Sequence, residues 1–429
     1  MPKPHVLVLA EICNPEWPSL PVVGYKYARA LAAVADITIA THIRNRPAIE
    51  AAGELDGKVV YIDNEWIAAG MHRLSEILRG GSEVAWSTHQ IMSYLPYLEF
   101  ERRALRRFRD ELDHGAFDLI HRITPMSPAL PSIAARHSPI PFVIGPLNGN
   151  LDWPRAFAAE QTREREGLRR LRNLYKLMPY ARSTFTKAAA ILAAFDHTID
   201  DLPQKVGPRI VPFPEIGFDP EIFNANGRRP PFSGAGPYHF LYAGRLVPYK
   251  VPEAAIRAFV GSETLRPHRL HLVGDGPEEP RLRQIVAEAQ AQDRVIFEGR
   301  KSQGELAQMM RQADAFVFPS IRELGAGVVV EAMACGAVCI VTAYGAPRDL
   351  TARGRGVQVP LQPLDGLIAA NRTAMESCVE DPASHAAMAK AAHDYAMALF
   401  PWDVKAERTA HIYDIVLSGG SLSAGVGYR

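Results

Sequence analysis

Short apolar runs alternate with longer stretches of helical spacing along most of the chain. The run "HVLVLA" is followed by "VVGYKYARALAAV" and then by "DITIATH"; "FDLIHRI", "SPALPSIAARH" and "PFVIGP" repeat the rhythm. Continuous apolar runs of this length fit strands buried on both faces, and the helical stretches between them fit crossover helices. The pattern therefore predicts an α/β chain with parallel sheets covered by helices. The rhythm weakens over about 203–237, through "DDLPQKVGPRIVPFPEIGFDPEIF" and "NGRRPPFSGAGP", which marks a domain boundary. A second series then begins with "YHFLYAGR", "HRLHLVGDGP", "DRVIFEGR", "DAFVFPS" and "AVCIVTAYG". The expectation is two doubly wound, Rossmann-like domains facing a central cleft, over residues 1–205 and 206–400. A final helical stretch, "WDVKAERTAHIYDIVL", precedes a Gly/Ser-rich tail expected to be loose.

Each run of the second series ends in Gly, Pro or Ser, as strands do when they deliver loops to the carboxyl edge of a sheet, where open α/β sheets take their ligands. In "LYAGRLVPYK" the strand ends at Gly244, with Arg245 and Lys250 in the following loop. A glycine that lets backbone approach and two cations suit a phosphate, although both cations could be solvated loop charges. "HLVGDGPEEP" offers a turn in which Asp275 is expected to cap the next helix, and "FEGRKSQGEL" leaves Arg300 and Lys301 at a strand exit before a helix starting at Ser302 or Gln303.

The stretch "PSIRELGAGVVVEAMACG" carries the sharpest chemistry. A helix beginning near Gly325, Ala326 and Gly327 would turn its free N–H groups and positive dipole end toward anionic phosphates. Glu323 precedes that start and Glu331 lies inside the helix; as pure helix the separation is about 12 Å, the scale of a diphosphate plus one sugar ring. One carboxylate could then hold a sugar and the other a ribose. A buried Glu331 needs such a partner, a ligand or a local Arg or Lys.

Composition narrows the alternatives. The 429 residues are 47% hydrophobic and 22% charged with a formal net charge of +1, so two to three packed domains are expected and no global field recruits nucleic acid. The four cysteines show neither a CxxC pair nor zinc spacing, and Cys335 and Cys339 read as reduced core residues. No run of about 18 apolar residues spans a membrane, and the start reads as a first strand and not a leader, so a cytoplasmic protein is expected. The basic stretches "ERRALRRFRDEL" and "REREGLRRLRNLYKL" are either solvated faces with internal ion pairs or peripheral contacts with anionic lipid at the inner membrane face.

The ordered set "GRLVPYK", "VGDGP", "FEG" and the Glu-x7-Glu element before "EAMACG", followed by "VTAYGAPRDL", resembles the donor-binding half of retaining family-4 glycosyltransferases of the GT-B fold. The resemblance covers about 206–415. Within 1–205 it is confined to the strand–helix rhythm and "PFVIGPLNGNLDWP". It implies a nucleotide-diphosphate sugar as donor substrate, no cofactor and no metal. By it, Arg245 and Lys250, next to Gly244, hold the diphosphate and Glu323 the donor sugar. Gly325, Ala326, Gly327 and Val328 supply backbone amides, Glu331 binds the ribose, and Arg300 and Lys301 flank the base. The last helix, about 403–420, would cross back to the first domain. Two departures stand out: Val251 replaces a common glycine, and "LGAG" replaces an aromatic-glycine pair.

In the first domain the resemblance points to the loop "GPLNGN", hence Asn148 with the amides of Gly149 and Asn150, where the family commonly has a histidine. His121 and Gly24 are candidates for the acceptor side; a structural histidine and a helix-start glycine are the plainer readings. The acceptor is left as a saccharide, a lipid-linked saccharide or a small molecule. No Asp-x-Asp pair occurs in the sequence. The leaving diphosphate is therefore expected to be neutralised by fixed cations and amides; transfer with retention is what the resemblance implies. Rival readings are a glycan phosphorylase or epimerase on the same scaffold, and a subunit that binds without turnover.

Overall fold

The computed structural model describes residues 3–71, 92–157, 175–234 and 236–422. The chain forms two compact units. One comprises Met1–Asn150, Glu164–Glu215 and Trp402–Arg429, the other Leu151–Arg163 and Ile216–Pro401.

The first unit is built on a seven-stranded sheet in the order β3-β2-β1-β4-β5-β6-β7. Its strands are β1 (His5–Ala10), β2 (Asp36–His42), β3 (Val59–Ile62), β4 (Leu119–Thr124), β5 (Phe142–Leu147), β6 (Ala190–Ala193) and β7 (Ile210–Pro212). Every pairing is parallel. The central strands are buried along their length because helices cover both faces, which explains their unbroken apolar runs. The covering helices used below are α1 (Leu20–Val34), α2 (Tyr94–Arg107) and α3 (Phe195–Ile199). Helix α1 buries Gly24, Tyr27, Ala28 and Leu31, one stripe at helical spacing.

The second unit has a six-stranded parallel sheet in the order β10-β9-β8-β11-β12-β13. Its strands are β8 (His239–Ala243), β9 (Arg269–Val273), β10 (Val295–Gly299), β11 (Ala315–Phe318), β12 (Val338–Thr342) and β13 (Val357–Val359). The helices between and after them are α4 (Pro252–Val260), α5 (Glu279–Glu288), α6 (Gln303–Gln312), α7 (Gly327–Ala334), α8 (Leu364–Glu380) and α9 (Pro382–Leu399). Ser302 caps α6 in a reciprocal capping box with Glu305, as the sequence predicts. Helix α5 starts at Glu279 after Glu278, so Asp275 is not its cap. All four cysteines are free and buried.

The last helix, α10 (Trp402–Leu417), belongs to the first unit and packs on α1. The Tyr27 hydroxyl meets Thr409 Oγ1 at 2.6 Å, and the Lys405 ammonium, fully buried, donates to the Pro214 carbonyl. The division falls at Glu215/Ile216, later than the sequence boundary of 205/206, because Ile210–Pro212 still pairs with β6 as an edge strand.

The basic stretch 101–112 carries its own counter-charges. Arg103 meets Glu99 at 2.7 Å and Arg107 meets Glu111 at 2.9 Å, while Glu101 turns inward. Most of the stretch 163–177 and the end of the Gly/Ser-rich tail lie outside the described residues. No helix among the described residues is long and apolar enough to cross a membrane.

Candidate functional site

The carboxyl edge of the second sheet gathers the loops that the motifs single out. After β8 the chain runs through Gly244 and Arg245 into a tight turn, Pro248–Lys250. Val251 then adopts a left-handed conformation (φ 45°, ψ 47°) and α4 begins at Pro252. A β-branched residue is strained there, and glycine would not be. The loop after β9 lies directly on this turn. Leu246 N–H donates to the Asp275 carbonyl at 2.7 Å, and Glu278 N–H donates to the Leu246 carbonyl at 3.1 Å. Gly274 has φ 129°, and a Cβ there would stand 2.0 Å from the Gly244 carbonyl oxygen. The "VGDGP" turn is thus a brace beneath the Arg245 loop.

The loop after β11 zips onto the same turn. Ile321 N–H donates to the Tyr249 carbonyl at 3.0 Å, and the Ser320 hydroxyl donates to Glu323 Oε1 at 2.8 Å. Lys250 Nζ also reaches Glu323 Oε1 at 2.8 Å, and both side chains are about nine-tenths covered, at 12% and 13% exposure. The Lys250 ammonium stands 4.8 Å from the centre of the Phe318 ring, a cation–π contact that holds it in place. Tyr242 lies under the loop with its hydroxyl donating to the Arg245 carbonyl at 3.1 Å. Burial first, and then the Glu323 charge, pushes its phenol well above the ordinary range. Arg245 is exposed, and its guanidinium donates to the Tyr249 hydroxyl at 3.1 Å.

Helix α7 starts where the sequence places it, at Gly327 after a left-handed Ala326. Gly325, Gly327 and Val328 are half-buried at this start, on the carboxyl edge of β11, and the first amides of the helix have no partner within it. Glu331 lies inside the helix but only half-buried, so the fully buried carboxylate that the surrounding "VVV" suggests is not what forms. Arg300 is exposed, and Lys301 lies 3.7 Å from Glu298.

Several residues of this edge escaped sequence reasoning. Gly345 has φ 63°, and a Cβ there would stand 2.5 Å from the Glu323 carbonyl, which also accepts from Ala346 N–H at 3.1 Å. Leu151, Asp152 and Trp153, far back in sequence, belong to this unit. The Asp152 carbonyl accepts from the Tyr344 hydroxyl at 3.0 Å, and the Trp153 ring lies between Tyr249 (6.5 Å) and the Arg322 guanidinium (5.2 Å). Only "LNGNLDWP" hinted at them.

The first-unit candidates are corrected. His121 is fully buried; its ring nitrogens meet the Tyr413 hydroxyl at 2.5 Å and the Gly145 carbonyl at 2.7 Å, and neither is left for an acceptor. Burial lowers its pKa to about 4. Asn148 is buried, its amide donating to Glu215 Oε1 and its carbonyl facing His197 Nε2 at 3.2 Å. Gly149 N–H donates to Thr198 Oγ1 at 3.1 Å. These amides serve the fold. Asn150 sits in a left-handed conformation, with its side chain on Asp201. Gly24 lies inside α1, not at its start, and a Cβ there would stand 2.6 Å from the Ile12 carbonyl; its smallness admits the neighbouring chain, not a substrate. Helix α3 brings His197 to Asn148, a neighbour that the sequence did not flag.

Comparison with known proteins places this geometry. Residues 226–394 match the family model for glycosyl transferases group 1. A D-inositol 3-phosphate glycosyltransferase of Pseudarthrobacter chlorophenolicus is 34% identical over 177 residues, 40% of this chain and 41% of the relative. A glycogen synthase of Mycobacterium tuberculosis is 29% identical over 218 residues, 50% of this chain and 51% of the relative. The chain thus spans about half the length, or less, of these curated relatives. Among solved structures, the sucrose-phosphate synthase of Thermosynechococcus elongatus superposes with a TM-score of 0.61 at 18% identity, over 97% of this chain and 100% of that one. The Anabaena protein HepE, in complex with UDP and glucose, does so with a TM-score of 0.57 at 16% identity, over 96% and 99%. Residues 226–394 are therefore similar to the group 1 glycosyl transferases, and the chain as a whole has the GT-B fold of these neighbours.

Proposed function

We propose that the chain moves a sugar from a nucleotide-diphosphate sugar to a hydroxyl acceptor, with retention and without a metal. The observation that carries this reading is the Lys250–Glu323 pair at the joined ends of β8 and β11, beside the start of α7. A lysine ammonium has three N–H donors, and Glu323 takes one of them. The remaining donors, with Arg245 and the first amides of α7, suit the diphosphate of a donor. The second oxygen of Glu323 suits sugar hydroxyls. Glu331 would hold the ribose, and the Gly299–Lys301 exit would border the base.

Positive groups fixed in advance at the leaving diphosphate stabilise the charge that develops there without reorganising, which is the largest single contribution in most such sites. The sugar becomes oxocarbenium-like as the bond to phosphate breaks. An acceptor attacking the face that the phosphate leaves can give its proton to the departing phosphate oxygen, so no side-chain base is required.

Thermal-shift screening against UDP-, GDP- and ADP-sugars identifies the donor, since a ligand that binds the folded chain stabilises it by mass action. UDP-sugars come first because HepE is a complex with UDP. With that donor, proton NMR of the product shows the anomeric configuration of the donor, and EDTA leaves the rate unchanged. An inverted product, or a rate lost to EDTA and restored by a divalent ion, sinks the respective half of the reading.

A further inference from the structure

In the second unit, helix α6, the stretch 226–229 and one face of β8 and β9 line a cavity of about 570 Å³. That volume falls in the range of small-molecule sites, about 300–1,000 Å³. Leu241 and His271 are paired across the two strands and so present the same face of the sheet. The cavity lies away from the loops of the proposed donor site. His239, which opens β8, stands five residues before Gly244, about 16 Å at the rise of an extended strand.

The wall is strongly cationic. Arg228, Arg229 and Arg311 line it with His239, His271 and several side-chain amides, and among the described residues no carboxylate lines it. Each guanidinium is anchored. Arg228 donates to the carbonyls of Met310 at 3.0 Å and Arg311 at 2.9 Å, at the end of α6. Arg311 donates to the Ile222 carbonyl at 3.0 Å, and Arg229 to the Ser233 carbonyl and, at 3.4 Å, to the buried Asp314 carboxylate. Asp314 also accepts from the amides of Phe232 at 2.7 Å and His239 at 2.8 Å, so its charge is spent inside the fold. A guanidinium has five N–H donors, so these bonds fix the three side chains while using part of their capacity. The buried Nε of Arg228 has no hydrogen-bond partner among the described residues, and burial pulls this guanidinium down to about 10.

The two histidines add a site for a proton. His271 Nδ1–H donates to Glu298 Oε1 at 2.9 Å, which leaves its Nε2 to accept from His239 Nδ1–H at 3.0 Å. The next proton then goes to His239 Nε2. Glu298 is itself balanced by Lys301 at 3.7 Å. Burial, and then His271, holds the His239 pKa below its ordinary value; Arg269 and Arg229 act the same way and Asp314 opposes them. An anion held in the cavity would favour the charged ring.

One arginine satisfies a carboxylate by a bidentate pair, whereas three guanidinium groups and a chargeable imidazole suit a tetrahedral dianion with several acceptor oxygens. We propose that the cavity binds a phosphate dianion, free or as the monoester of a small molecule, through Arg228, Arg229, Arg311 and His239. This second site does not depend on the transferase reading, because none of its residues belongs to the Lys250–Glu323 loops.

The test follows the histidine Cε1–H NMR signals of the full chain against pH, with His239→Gln and His271→Gln assigning the two rings. Inorganic phosphate and glucose 6-phosphate are each compared with chloride at matched ionic strength. At least one of them should raise the His239 midpoint by about half a unit or more over chloride. Arg311→Gln and Arg229→Gln should each cut that shift by about half or more, whereas Lys250→Ala should leave it intact. Thermal midpoints report folding of the variants. A shift reached at lower concentration with glucose 6-phosphate identifies a monoester as the source, and the reverse order identifies free phosphate. No shift with either probe, a shift undiminished in the folded arginine variants, or a shift lost in Lys250→Ala overturns the proposal.

Discussion

Single residues at the second unit's edge were legible because their chemistry and spacing are local. Lys250 and Glu323, both picked from motifs, meet at 2.8 Å, and Ser302 caps its helix as its position requires. Asn148, Gly149 and His121 spend their hydrogen bonds inside the first unit, on Glu215, Thr198 and Tyr413; the structural reading of His121 is the one that forms, and nothing along the chain announces these partners, which are remote in sequence. Glycine roles were half legible. Gly274 was read as a turn residue, but the sequence does not show that its missing Cβ lets the Gly244 carbonyl lie against it. Gly274→Ala is predicted to lower stability by about 3 kcal/mol through steric clash and backbone strain. It should also raise KM for the donor by displacing the Arg245 loop. Chemical denaturation together with donor kinetics checks both effects.

Elements were predicted well wherever a strand and its crossover helix lie next to each other, since apolar runs and helical spacing carry that information. What the pattern could not show is which unit claims a segment. Ile210–Pro212 looks like linker yet extends the first sheet, and Leu151–Trp153 belongs to the second unit. The seating of α10 on the first unit depends on buried polar groups, His121 with Tyr413 among them. Burial holds the His121 folded-state pKa near 4, below its unfolded value of about 6.5. Between those values the unfolded chain binds a proton that the folded chain refuses. Stability is therefore intact above about pH 6.5 and falls as pH drops toward 4, by about 3 kcal/mol from this group. His121→Gln should be less stable at pH 7 but show a flatter decline toward pH 4. Denaturant unfolding at pH 7, 5.5 and 4.5 measures the difference, and parallel slopes would refute it.

At the scale of the molecule, the two units differ in how much of their function sequence and comparison reveal. Residues 226–394 match a family model by sequence, whereas the likeness that spans 97% of the chain is one of fold, at 18% identity. This asymmetry has a physical basis. On the proposed reading, a nucleotide-diphosphate donor presents the same phosphates to every domain that binds it and so calls for glycines, cations and carboxylates in a set order. Acceptors differ, and the groups that meet them need share only a place on the sheet. The net charge of +1 adds nothing to that choice, which falls to local groups.

The central claim is that Lys250 and Glu323 are the charged pair that receives the diphosphate and the sugar of the donor. Steady-state release of nucleoside diphosphate from the preferred nucleotide sugar, measured for Lys250→Ala beside the wild-type chain, tests it most directly. The account predicts a loss of about a hundredfold or more in kcat/KM with the thermal midpoint little changed. A folded Lys250→Ala variant turning over within about threefold of wild type would contradict it.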